Sequence, residues 1–333
     1  MNIFHHLAVF CTAAAVFSSA AQSQTYPSKP IRIVVPYSAG GASDGPMRVI
    51  AQEMSKQLGQ QVSVDNKPGM GAMLGAEIVA RAAPDGYTLL LGSNPEVISP
   101  SLYSNLSFDP VEDFTPIGLF SREPSVLVVH PALPVQSIKE FIAYIKAHPS
   151  NIDFASSGNG SAQHLFTEML LSKASLKMVH VPYKGSGQAT TDLIAGQVKV
   201  AMPGLAAMMV HIKDNRLRPL AVSGAERSPL LPDVPTLEES GFPGFTAYVW
   251  NGLMAPKHTP ALVIDRLSKE LKAALMSASV QAFMKQASIE SLNTSPAEFM
   301  NFLREERERN AKIIKETGLK ICLLYTSPSP RDS

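Results

Sequence analysis

Short apolar runs alternate with helix-length segments along most of this chain, and that alternation restricts its fold more than any other feature. Strand patterns at 31–35, 61–64 and 87–91 are separated by helical patterns at 47–58 and 72–82. Such a series predicts a parallel sheet covered by helices. An irregular polar connection at 102–114 follows, then two extended segments, IGLF and SVLVVH. A second series begins there: a helix capped by Ser137 and running to about 147, a strand at 153–156, a helix at 162–171, a strand at 178–181, a helix at 189–195 and a strand at 198–202. The run 216–224 reads as a returning strand before a proline-rich loop, and helices at 260–276, 279–287 and 296–317 complete the first unit. A chain that builds one α/β unit, crosses to another and crosses back has two connections at its middle, a hinge suited to closing over a ligand. The expected class is α/β, with two parallel-rich sheets flanked by helices and a double-crossover hinge.

Two loops stand out chemically. In IRIVVPYSAGGASDG, Ile31, Ile33, Val34 and Val35 read as a buried strand, Gly40 and Gly41 allow close approach of backbone to a ligand, and Asp44 can cap a helix starting near Pro46. The segment SSGNGS, 156–161, stands in the same relation to the helical run AQHLFTEMLL. Each aims backbone N–H groups at a helix N-terminus, so together they can hold a carboxylate without Arg or Lys. Gly41 and Gly158 are expected to bring such groups to one carboxylate from opposite lobes. Alone, the Gly40–Gly41 loop reads as an ordinary strand-to-helix turn; paired with SSGNGS it reads as a binding site.

The 333 residues suffice for two domains and a large core. With 29 Lys+Arg against 28 Asp+Glu the net charge is +1, which argues against nucleic acid held by charge. The N-terminus reads as a secretory signal over 1–23, with an apolar core at 7–17 and the small run SSAA before Gln22. Its eleven apolar-core residues are too few to span a bilayer, which takes ~20, so removal is expected and not anchoring. Cys11 lies inside that core, and the only other cysteine, Cys322, opens CLLYTSPSPRDS. This tail, 322–333, breaks sharply from the Lys/Glu-rich helix before it and resembles translated adapter sequence, so it is excluded from the fold.

Five strings in order, YPSKPIRIVVPYSAGGASD, DNKPGMGAMLGAEIVARAAPDGYTLLLGS, SSGNGSAQHLFTEMLL, VPYKGSGQATTDLIAGQV and RSPLLPDVPTLEESGFPGF, resemble the Bug-type substrate-binding proteins of tripartite tricarboxylate transporters over roughly 26–321. The resemblance implies a two-lobed periplasmic binding protein of the type II fold, with lobe 1 at 24–122 and 245–321 and lobe 2 at 123–244. It implies a periplasmic monomer that captures a small carboxylate, such as a di- or tricarboxylate, an amino acid or an aromatic acid. Membrane permease subunits would be its partners, with no cofactor, metal or nucleic acid. Carried over by position, the first lobe offers Tyr37, Ser38, Gly40, Gly41 and Asp44, then Gly92, Ser93 and Asn94. The second offers Ser156, Ser157, Gly158, Asn159, Gly160 and Ser161, with Tyr183, Lys184 and Gly185 on the next turn. Gln188 and Pro203 depart from the residues many members carry there; both are expected to face the cleft, giving a less polar wall.

Other chemistry fits less well. GASDG, 41–45, matches the G-x-S-x-G nucleophile elbow and makes an exported serine hydrolase through Ser43 the enzyme alternative, but it follows the first mature strand, where several strands should precede it. GMGAMLG, 69–75, misses the dinucleotide spacing by one residue, and the next strand lacks the ribose-binding acid. His164 reads as a cap or surface histidine before it reads as a ligand donor. HExxH, CxxC and SxxK are absent from the sequence. A binding protein that reports to a membrane kinase would share the same lobes and stays open beside the transporter reading.

Overall fold

In the computed structural model, residues 26–319 are described apart from 42, 150 and 288. The signal segment 1–23 and the tail 322–333 lie outside the described residues. The first half runs β1 (Ile31–Val35), α1 (Asp44–Leu58), β2 (Val62–Asn66), α2 (Met73–Ala80), β3 (Thr88–Ser93), a short α3 (Asn94–Ile98) and the long β4 (Phe114–Pro124). The chain then enters a second sheet through β5 (Val126–Val129), α4 (Ile138–Ala147), β6 (Asp153–Ser156), α5 (Ala162–Ala174), β7 (Val179–Pro182), α6 (Ser186–Ile194), β8 (Val200–Ala201), α7 (Leu205–Lys213) and β9 (Arg218–Val222). It returns through β10 (Tyr248–Pro256), α8 (Ala261–Leu275), α9 (Ala278–Ala287), β11 (Glu290–Ser291) and α10 (Pro296–Thr317).

The first sheet has the order β11-β4-β10-β3-β1-β2 and the second β7-β6-β8-β5-β9. Each contains a parallel block, β2–β1–β3 and β7–β6–β8, extended by antiparallel strands. The parallel block is where the apolar runs lie: Ile31, Ile33, Val34, Val35, Leu89, Leu90 and Leu91 are fully buried, as strands covered on both faces require. One face of the first sheet packs with α1, α8 and α9, and α10 packs on β4, α3 and α5, so one core runs from the first sheet into the second. Trp250 of β10 meets Phe299 and Phe302 of α10 edge-on at 5.9 and 5.4 Å. A capping box, in which Glu298 N–H donates to Ser295 Oγ and Ser295 N–H to Glu298, starts α10; Gly318 in the left-handed conformation ends it.

Where the structure differs from the expected elements, tertiary pairing is the reason. β10 has no counterpart among them, yet it joins β3 to β4 at the middle of the sheet. The helices α3 and α7 are likewise additional, and α1 begins at Asp44, so Ser43 and not Asp44 is its N-cap. The two crossings are stitched side by side: Ser223 Oγ accepts from Ser125 N–H at 2.8 Å and donates to the Ala247 carbonyl at 2.6 Å, while Ser223 N–H donates to the Ser125 carbonyl at 2.9 Å. Among the described residues no helix is long and apolar enough to cross a membrane.

Candidate binding site

The turns that follow β1, β3 and β6 face one another across a cleft between the two sheets, in keeping with the rule that open α/β sheets bind ligands beyond the carboxyl ends of their strands. Backbone closes on backbone there. A Cβ at Gly71 would fall on the Asn159 carbonyl oxygen; at Gly185 it would lie 3.3 Å from Ser38 Oγ, and at Gly41 it would lie 3.5 Å from Ser186 Oγ. Gly71, at φ +61, is flanked by Met70 and Ala72 at φ 49 and 83, three consecutive left-handed residues. Non-glycine residues held this way are strained, and such strain gathers at ligand clamps.

Behind these contacts is an inner chamber of about 60 Å³, adjoined at Tyr37 and Ser157 by an outer pocket of about 440 Å³. Among the described residues lining the inner chamber there is no Lys, Arg or His. Its positive character comes from helix ends. Ser43 is the N-cap of α1; Ser161 is the N-cap of α5, whose first residues Ala162 and Gln163 also line the chamber; Ser186 opens α6; Gly204 is the N-cap of α7. Each such end carries roughly half a positive charge; at α1 the Asp44 and Gly45 N–H groups already donate to the Gly41 carbonyl, and at α7 Ala206 N–H donates to Glu123, so the α5 and α6 ends are the ones placed to offer donors. Hydroxyls complete the lining. The Tyr37 and Ser93 hydroxyls lie 2.6 Å apart, and Ser93 N–H donates to Glu96 at 2.7 Å. Burial pushes the Glu96 carboxyl up to about 7 and, with Glu96 nearby, raises the Tyr37 phenol above its ordinary range. Asn94 is fixed, donating to the Tyr248 carbonyl at 3.0 Å and accepting from Trp250 N–H at 3.2 Å.

The residues expected to form one cradle separate into distinct settings. Tyr37, Gly41, Ser93, Asn94, Ser157, Ser161 and Pro203 line the inner chamber. Gly158, Asn159, Tyr183, Lys184 and Gly185 line the outer pocket, so Gly41 and Gly158 do not share a chamber. Their N–H groups are engaged within their own loops: Gly41 N–H donates to the Ser38 carbonyl at 3.4 Å and Gly158 N–H to Ser156 Oγ at 3.1 Å. Gly40 N–H donates to Asp44 at 2.9 Å, and Gly160 N–H to His164 Nδ1 at 3.3 Å. Asp44 lies outside the lining and braces the loop. Burial pushes its carboxyl up, but hydrogen bonds from Arg48, Gly40 and Asn66 outweigh this and hold it below its ordinary value. Ser38 sits at the contact with Gly185, and Gly92 packs against Met254 within the sheet. Gln188 is exposed and lines neither cavity, contrary to expectation.

Ser156 is fully buried, 2.6 Å from His180 Nε2, and His180 stacks on His164 with ring centroids 3.8 Å apart. Burial lowers the two imidazoles to about 3 and about 4, His164 adding to the shift on His180. The stack therefore holds the 156–161 loop from beneath with neutral rings. Missing from the sequence reading are Ser186, hidden because the helical pattern of α6 is clear only from 189, and Gln163, Gly204 and Glu123. Nothing local marks Glu123, a lone acid between Arg122 and Pro124.

The family model described as "Tripartite tricarboxylate transporter family receptor" matches residues 47–319. Protein BugT of Bordetella pertussis is 37% identical over 326 residues, covering 96% of this chain and 100% of BugT. A UPF0065 protein from Pseudomonas sp. (strain P51) is 36% identical over 311 residues, covering 92% of this chain and 93% of its own. Among solved structures, the periplasmic binding protein BugD superposes with a TM-score of 0.85 at 36% identity, covering 89% of this chain and 99% of BugD. MatC from Rhodopseudomonas palustris with bound malate superposes at 0.84 with 30% identity, covering 87% of this chain and 100% of MatC. An R. palustris protein with adipate gives 0.85 at 32% identity, covering 89% of this chain and 99% of its own.

Proposed function

This chain belongs to the tripartite tricarboxylate transporter receptor family, a family of solute-binding proteins and not enzymes, and from that premise we propose that it captures a small carboxylate in the inter-sheet cleft and delivers it to a tripartite tricarboxylate-type membrane transporter. The observation that carries this reading is the convergence of helix N-termini, those of α5 and α6 foremost, and a set of hydroxyls on a chamber whose described lining has no cationic side chain. Fixed N–H dipoles and hydroxyls bind a carboxylate by directed hydrogen bonds and release it more readily than a buried salt bridge would. The malate and adipate bound by two structural neighbours support the same ligand class.

In this reading the lobes are 24–122 with 245–321 and 123–244, the mature protein is a periplasmic monomer freed of residues 1–23, and Tyr37, Ser93, Ser157 and Ser161 contact the ligand directly. Closure brings both lobes onto one anion, since each provides part of the donor set. The test is a thermal-shift and calorimetric screen of three- to six-carbon mono-, di- and tricarboxylates, with native mass spectrometry for a co-purified acid. A binder should raise the melting temperature with concentration. If no carboxylate binds and a non-anionic solute does, the reading fails.

A further inference from the structure

Glu123 is the chamber residue that an anion site explains least. It is the penultimate residue of β4, pairs with Val249 of β10 in the antiparallel register and is 3% exposed. Glu123 Oε2 accepts from Ala206 N–H at 2.7 Å, closing the first turn of α7. Oε1 lies over Gly204, where a Cβ would be 2.6 Å away. Among the described hydrogen bonds Oε1 has no partner, and both Glu123 and Gly204 line the inner chamber. Burial with a single donor pushes this carboxyl up to about 7. Oε1 is open to the chamber and not enclosed by protein, so a ligand that covers it must supply a donor or leave it desolvated, and a second carboxylate placed beside it is repelled across a weakly screening interior.

Resting on the carboxylate-binding reading above, we infer that Glu123 is a specificity-determining residue that selects carboxylates bearing a hydrogen-bond donor, a hydroxyl or an ammonium, at the end that faces β4 and α7. Such a donor pairs with Oε1 as the ligand takes that oxygen out of solvent. A methylene at the same place leaves the oxygen buried and unpaired. The helix ends of α5 and α6 remain for the ligand's carboxylate, whereas the leading N–H groups of α1 are taken by the Gly41 carbonyl and Ala206 N–H of α7 by Glu123. A ligand that enters this chamber therefore meets two unlike ends, donors for its acid group and an acceptor for its hydroxyl or amine.

Calorimetry on matched acids tests this: lactate and alanine against propionate, and L-malate and L-aspartate against succinate, with wild type and Glu123→Gln. Gln keeps the acceptor for Ala206 N–H and nearly the same volume, so the variant should remain folded by thermal melting. In at least one pair, wild type should bind the donor-bearing member about tenfold to a hundredfold more tightly, the range of one hydrogen bond to a charged group. In Glu123→Gln the preference should shrink to within about threefold, allowing for a neutral hydrogen bond of lesser strength. Acids that bind wild type without preference overturn the inference alone, as does a preference that survives in Glu123→Gln. If Glu123→Gln fails to fold, the wild-type comparison decides by itself. Absence of binding by every acid overturns the carboxylate reading and this inference with it.

Discussion

Replacing Gly71 with alanine should weaken ligand binding much more than its cost to the fold would suggest. Two penalties are involved, and the structure separates them. Gly71 has φ +61, where an L residue costs roughly 1 kcal/mol, and this cost is the same whether the halves are together or apart. It lowers the melting temperature by a few degrees and cancels from the binding equilibrium. The second penalty exists only when the halves meet, because the new Cβ falls on the Asn159 carbonyl oxygen, which is backbone and has no rotamer in which to retreat. The 156–161 loop behind it is held by Ser156, His180 and His164, so relief must come from separating the halves. Losing one charge-assisted hydrogen bond across the cleft costs about 1.5 to 3 kcal/mol, a tenfold to hundredfold loss of affinity. Calorimetry with a carboxylate that binds wild type, together with X-ray scattering to follow compaction, measures this. Gly244→Ala is the control: the position has φ +68 and no atom within 4 Å of where the Cβ would sit, so the change should lower stability and leave affinity alone. If Gly71→Ala binds as wild type and compacts normally, the contact with Asn159 is not part of the bound state and the reasoning fails.

The pH dependence of stability should have two opposing limbs. His164 and His180, neutral in the fold down to about 4 and about 3, add stability that is fully present above their unfolded value of ~6.5 and is lost as pH falls toward the folded values. Glu96 and Glu123, raised from 4.5 to about 7, act in the opposite sense, their charging costing stability as pH rises through that window. Chemical denaturation should therefore find a shallow profile between about pH 4.5 and 6.5 and a steeper decline below it, where the histidines act together with carboxyls held below their ordinary value, such as Asp44 and Asp109. A steady rise in stability down to pH 4 would contradict this. Glu123→Gln should gain stability relative to wild type at pH 8 and lose that advantage by pH 5, by differential scanning calorimetry; the reverse order would mean the carboxyl is not raised. Ser223→Ala leaves Ser125 N–H and the Ala247 carbonyl unpaired in a buried crossing, so urea denaturation should show a loss of about 2 to 4 kcal/mol. A change below 0.5 kcal/mol, roughly the scatter for surface sites, would show that the crossings are not coupled through this hydroxyl.

Local chemistry was legible in the sequence. Ser137 caps α4 and Ser161 caps α5, each accepting from the N–H three residues on, and β6 falls at 153–156 as its composition predicts. The buried β1, the loops after β1 and β6, and a chain that crosses twice between two units all follow from patterns spanning fewer than about twenty residues, where propensity, period and capping act. Tertiary structure decided most of the rest. β10 is a strand because β3 and β4, both more than a hundred residues earlier in the chain, supply its hydrogen bonds, and WNGLMAP carries no period of its own that announces this. One difference is local: the glycine N–H groups that read as an anion cradle are engaged by Asp44, Ser156 and His164, side chains two to four residues away in the same loops, because the turn conformation, which composition alone does not fix, brings them within reach. Four helix ends and the carboxyl of Glu123 meet in one chamber only because two sheets bring them there. Hydrogen-bond partners, burial and the field inside a cleft are sums over residues distant in sequence, and a pattern read along the chain does not contain them.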